Sequence, residues 1–169
     1  FRSRRPRWAH RALRPDARLL IVNQGAHEEI RAALIRKSIS RDVVDLESSP
    51  YRQVPGFMQR MSAAVCFVLP TPSMAAAAPT KVGEYLASGV PVIANTQPGD
   101  LEDLLADAVV GVGLREFSRT SYEHALRQLL RIVDNPLTKS RCRIRAERGF
   151  SLERGVSVYA AIYRRLGCS

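Results

Sequence analysis

At 169 residues the chain has the length of one domain, enough to bury a core of its own. A hydrophobic fraction of 46% and a charged fraction of 25% are those of a folded globular protein, which excludes disorder and fibrous repeats. The net charge of +10 invites an anionic partner, but no apolar run is long enough to span a bilayer: the longest, Ala63 to Leu69, ends at Pro70.

Residues 1–16 lack apolar periodicity. They read as a basic N-terminal segment, loop or short helix, with Trp8 and Leu13 as anchors. Residues 17–169 alternate strand and helix. Short apolar runs predict strands at Leu19–Asn23, Val43–Glu47, Ala64–Leu69, Pro91–Ala94 and Val109–Gly113. Helical spacing predicts helices near Ala26–Lys37, Pro55–Met61, Pro79–Ala87 and Asp100–Ala106, then Ser118–Asp134, Pro136–Gly149 and Ser151–Leu166. The strands show no polar alternation, so both faces are expected to be covered. Together these features predict an α/β, Rossmann-like parallel sheet with helices on both faces. Ligands in such sheets lie beyond the carboxyl ends of the strands. That rule puts Thr71–Ala78 and Asn95–Asp100 at the rim of any site.

The charge is uneven. Residues 1–18 carry a net +6, residues 19–114 a net −3, and residues 115–169 a net +7. Nucleic acid, anionic lipid or a phosphorylated substrate would each answer such a field. Yet 23 of the 26 basic residues are Arg, so a codon bias accounts for the numbers equally well. No aromatic residues interleave with the basic ones to stack bases, so a nucleic-acid partner is not expected. Cys66, Cys142 and Cys168 are far apart and odd in number, without the spacing of metal ligands or a disulfide framework. This fits a reducing, cytoplasmic setting. His10, His27 and His124 are isolated and read as surface residues.

The segment from Ala78 to Asp100 carries the most chemistry. Pro79 suits the first position of a helix, where its missing N–H costs nothing. Lys81 follows in the first turn, at the positive end of the helix dipole, where an anion is preferred. Glu84 lies one turn on, on the same face. One cation and one carboxylate there could hold a phosphate and a sugar hydroxyl together. An ordinary solvated Lys–Glu pair satisfies the same spacing. Thr80 could donate a hydroxyl or cap the helix. Gly89 reads as a helix stop, and Asp100 as the N-cap of the helix DLEDLLAD, with a place at the pocket rim as the alternative.

The string PTKVGEYLASGVPVIAN, followed by Gly99 and Asp100, resembles the nucleotide-sugar-binding segment of the group-one retaining glycosyltransferases of GT-B fold. ARLLIVNQGAHEEI at Ala17–Ile30 resembles that family's second strand–helix unit, and FSLERGVSVYAAIYRRL at Phe150–Leu166 its closing helix. The resemblance implies the donor-binding half of a hexosyltransferase that uses a nucleotide-diphosphate sugar without metal. No Asp-x-Asp motif is present, in agreement, and no cofactor beyond the donor is implied. Lys81 would meet the diphosphate and Glu84 the ribose hydroxyls, with both counted as catalytic. Ala76, Ala77, Ala78, Pro79 and Thr80 would line the donor. A second glutamate that many members carry is replaced by Ala76. The loop Ser48–Val54 would lie near the nucleobase.

No strand with a glycine turn, the family's usual opening, precedes Ala17, and no acceptor-binding domain is seen. The expectation is a donor domain incomplete at its N-terminus and inactive alone, its partner the missing acceptor-binding domain. An anionic membrane surface or a lipid-linked acceptor would suit the charge, as a peripheral association. The missing strand would be central, so its loss should leave a gap or force the second and fourth strands to pair. The alternatives are a non-catalytic remnant that binds nucleotide or a partner, and, less favoured, a basic nucleic-acid-binding domain.

Overall fold

The computed structural model describes residues 14–69, 71–74, 80–97 and 99–167; the basic segment read at residues 1–16 lies almost wholly outside them. Among the described residues, five parallel strands form two sheets. Strand β1 (Leu19–Val22) pairs with β2 (Val44–Glu47) in the register Leu19↔Val44. Helix α1 (His27–Arg36) makes the crossover between them. The second sheet runs β3 (Ala64–Cys66), β4 (Val92–Asn95), β5 (Gly111–Leu114), with Ala64↔Val92 and Val92↔Gly111 in register. Among the described residues β1 and β3 do not pair, so the new pairing, one of the two expected outcomes, is not seen there.

The helices that cover the sheets are α2 (Val54–Met58), α3 (Thr80–Ala87), α4 (Leu101–Leu105), α5 (Arg119–Val133), α6 (Thr138–Phe150) and α7 (Leu152–Arg165). The central strand β4 decides where they go. Its residues alternate between faces. Val92 and Ala94 meet Val82 and Leu86 of α3, Leu101 and Leu105 of α4, and Cys142 and Ala146 of α6. Ile93 faces the other way, with Val112, Leu114 and the α5 residues Ala125, Leu129 and Ile132. The α5 spacing of four and three residues places those side chains on one stripe. Full burial of a side chain such as Leu86 stabilises the fold by about 1.5–3 kcal/mol. By contrast, α7 buries no residue, and Leu152, Val156, Tyr159, Tyr163 and Leu166 stand exposed along it.

Local signals explain the boundaries. Ser118 caps α5, its Oγ accepting from the Ser121 N–H at 3.2 Å. Gly89 ends α3 in the left-handed region, with φ of +78°. The Gly89 N–H bonds to the Leu86 carbonyl and the Val90 N–H to the Tyr85 carbonyl, the pattern that satisfies the last carbonyls of a helix. Three expectations change. The strand expected over Ala64–Leu69 leaves the ladder after Cys66. Asp100 occupies the N-cap position of α4, but its side chain makes no capping hydrogen bond. His27 is half-buried rather than a simple surface residue, with Nε2 2.7 Å from the Asn23 carbonyl.

Candidate functional site

The structure brings Lys81 and Glu84 together on the first turn and a half of α3. The Lys81 ammonium donates to the Glu84 carboxylate at 2.7 Å, the two being three residues apart on one face. Both remain partly open to solvent, with side chains 47% and 32% exposed. A third group stands over them. Tyr51, in the helical turn Tyr51–Gln53 ahead of α2, places its ring centroid 5.5 Å from the Lys81 Nζ and its hydroxyl 3.5 Å from Glu84 Oε1. The cation thus has both an aromatic ring and a carboxylate within interaction distance. The hydrogen bond to Glu84 raises the Lys81 pKa above its ordinary value, outweighing slight burial, so the group is an ammonium throughout the neutral range. Thr80 opens α3 and is exposed. Ala76, Ala77, Ala78 and Pro79, expected to line the donor, lie outside the described residues.

The cluster sits where the fold rule places ligands. Cys66, the last residue of β3, senses the Lys81 charge, which partly offsets the upward push that burial gives its thiol. Tyr85, next to Glu84, is half-buried, and burial raises its phenol pKa. On the other side of Glu84 a groove of about 490 Å³ runs between α3 and α6, lined by Thr80, Gly83, Glu84, Arg143, Glu147 and Phe150. Gly99 and Asp100 are exposed beyond the end of β4. Among the described residues no three His, Cys, Asp or Glu side chains gather as metal ligands would.

The arrangement can bind an anion with a hydroxylated neighbour. An ammonium donates to phosphate oxygens, and a carboxylate accepts from hydroxyls. Two positions are placed by the sequence only as members of longer segments, Tyr51 within Ser48–Val54 and Asn95 at the start of Asn95–Asp100, with no role of their own. Tyr51 reaches the pair only through the tertiary fold. Asn95, buried at the end of β4, carried one signal: a polar residue closing an otherwise apolar run, VIAN.

Comparisons with known proteins point to one family. Residues 5–131 match a family model described as glycosyl transferases group 1. No curated protein matches the chain at a significant level. Among solved structures, AviGT4, a glycosyltransferase involved in avilamycin A biosynthesis, is similar with a TM-score of 0.65 at 21% identity, over 94% of this chain and 46% of that one. A glycosyltransferase from Rickettsia africae ESF-5 gives 0.68 at 12% identity, over 93% and 42%. WaaG, a glycosyltransferase involved in lipopolysaccharide biosynthesis, gives 0.59 at 19% identity, over 83% and 36%. The chain therefore spans less than half the length of these structures. At such identities the likeness establishes the Rossmann-like fold they share. No helix among the described residues is long and apolar enough to cross a membrane.

Proposed function

This chain belongs to the group 1 glycosyl transferases, and we propose that it is the donor-binding domain of a retaining, metal-independent enzyme, holding a nucleotide-diphosphate sugar at the start of α3. The observation that carries this reading is the Lys81–Glu84 pair, 2.7 Å apart and open to solvent at the carboxyl edge of the sheet. Glycosyl transfer releases a nucleoside diphosphate, so negative charge grows on the leaving group. A fixed ammonium beside the free N–H groups of a helix start stabilises that charge without a metal. Glu84 accepts from the ribose hydroxyls, and the tyrosine ring keeps the lysine side chain from wandering. Without an anion the two charges neutralise each other; binding exchanges the Lys81–Glu84 bond for one phosphate contact and one sugar contact. A second domain facing the carboxyl edge would supply the acceptor.

The test is a set of thermal melts with UDP, GDP and ADP and with the corresponding nucleosides. A diphosphate at a hundred times its dissociation constant adds about 2.7 kcal/mol to the stability of the folded form. The matching diphosphate should raise Tm and its nucleoside should not. A folded sample that responds to none of the diphosphates would remove the donor site.

A further inference from the structure

Asn95 is the last residue of β4 and is 1% exposed. Both ends of its amide are spent on one residue of a neighbouring segment. Oδ1 accepts from the Val68 N–H at 2.8 Å, and Nδ2 donates to the Val68 carbonyl at 2.9 Å. The chain needs this contact because β3 stops pairing at Cys66, which lies opposite Ala94. Beyond that point the backbone leaves the sheet, and its N–H and carbonyl would otherwise be half-buried without a ladder partner. A buried amide is costly unless each of its groups is bonded, and here a leucine or valine would fill the space without that cost. The amide therefore does what an apolar residue cannot: it replaces one rung of the ladder with a side chain. The residue it holds lies two positions after Cys66, whose thiol already feels the charge on Lys81.

We propose that Asn95 is a positioning residue for the donor site. By pinning Val68 it fixes where the chain leaves β3 on its way to α3. That sets the height of Lys81 and Glu84 above the carboxyl edge of the sheet. The inference rests on the donor-site reading and adds to it a residue that touches no ligand. Misplacing a binding group by about 1 Å is enough to cost large factors in a reaction that depends on alignment.

The test uses the whole chain and two readouts. Asn95→Ala removes both bonds; Asn95→Asp keeps the size and the acceptor for the Val68 N–H but loses the donor. Ile93→Ala, two residues earlier on the same strand and buried against α5, serves as the control for stability loss alone. At a temperature where all samples are folded, both Asn95 variants should bind the preferred nucleoside diphosphate at least about 10-fold more weakly than wild type. Ile93→Ala should bind as wild type. Hydrogen exchange across residues 67–74, measured without nucleotide, should quicken in the Asn95 variants while β5 stays protected. An affinity loss no larger than that of Ile93→Ala, or unchanged exchange across residues 67–74, overturns the proposal. A folded wild-type chain that binds no nucleoside diphosphate overturns the donor site and the positioning role together. Wild-type binding with undiminished Asn95→Ala affinity overturns the positioning role alone.

Discussion

The ring of Phe150, at the end of α6, lies 2.8 Å from the point where a Cβ on Gly83 would stand. Gly83 is buried within α3, between Lys81 and Glu84 in sequence, so the close approach of α6 depends on the missing side chain. Glycine in a helix interior costs about 0.5–1 kcal/mol relative to alanine. The contact with Phe150 explains why alanine is nevertheless unsuitable. The clashing atoms are the ring carbons nearest the backbone, which cannot swing clear without moving the whole side chain.

Gly83→Ala should therefore destabilise the fold by about 1–3 kcal/mol, the scale of overpacking, despite the better helix propensity. In a Phe150→Ala background the same substitution should be neutral or stabilising, because the obstruction is gone and the propensity gain remains. Denaturant unfolding of the two single variants and the double variant measures this as a coupling energy. Additive effects would show that the ring does not set the helix spacing.

Lys81 and Glu84 should separate stability from binding. An exposed ion pair contributes roughly 0–1 kcal/mol to the fold, so Lys81→Ala should scarcely move Tm. It should weaken diphosphate binding by about 1–3 kcal/mol, the scale of a charge-assisted hydrogen bond. Glu84→Gln should weaken ribonucleotides more than their 2′,3′-dideoxy analogues, since only the former offer hydroxyls. Titration calorimetry with both sugar types decides the point. Equal losses would make Glu84 a partner for Lys81 rather than a ribose ligand.

Much of this was legible because it was locally encoded. Pro79 and Gly89 bracket α3 in the sequence, and the helix runs from Thr80 to Ala87 between them. Short apolar runs located the five strands of the described residues, and β1 and β2 came closest to their expected spans, each differing by one residue at one end. The length of β3 was not legible, because the groups that end its ladder are supplied by Asn95, 27 residues away from Val68. For Tyr51 the family resemblance placed its segment, Ser48–Val54, at the donor, but nothing near position 51 records which of its side chains reaches Lys81 and Glu84. That β1 and β3 do not pair among the described residues was not legible either, because no local pattern decides whether two such strands meet.

Cys142 predicts alkaline lability. It is fully buried on α6, and burial alone pushes its thiol up to about 11, from about 9. Between those values the unfolded chain releases a proton that the native state keeps, so stability falls as pH rises through that window. The contribution is whole below pH 9. Two pKa units correspond to about 2–3 kcal/mol. Tyr85, also raised by burial, acts in the same direction. Urea unfolding at stepped pH should show the decline, and Cys142→Ala should flatten it at some cost in baseline stability. At pH 8 iodoacetamide should label Cys66, which is only half-buried, well before Cys142. Rapid labelling of Cys142 in the folded protein would contradict the packing of α6 on α3.

The last prediction concerns turnover. This chain by itself should bind donor yet fail to transfer the sugar. Transfer requires an acceptor hydroxyl aligned with the anomeric carbon, and such positioning can supply about 7–11 kcal/mol of the barrier. The groups gathered at the site, Lys81, Glu84 and Tyr51, all suit the leaving nucleotide rather than the acceptor. Ala76 stands where many members of the resembling family carry a second glutamate, so that acid is not available to the sugar either. The glycosyltransferase structures to which the chain is similar are more than twice as long as the part it covers. Incubation with labelled nucleotide sugars and a panel of lipid and saccharide acceptors, with donor hydrolysis followed in parallel, is the measurement. Binding without product is the expected outcome, with slow hydrolysis at most, because water needs no positioning domain. Robust formation of a glycosylated product by these 169 residues alone would show that the chain, or a dimer of it, already completes a cleft.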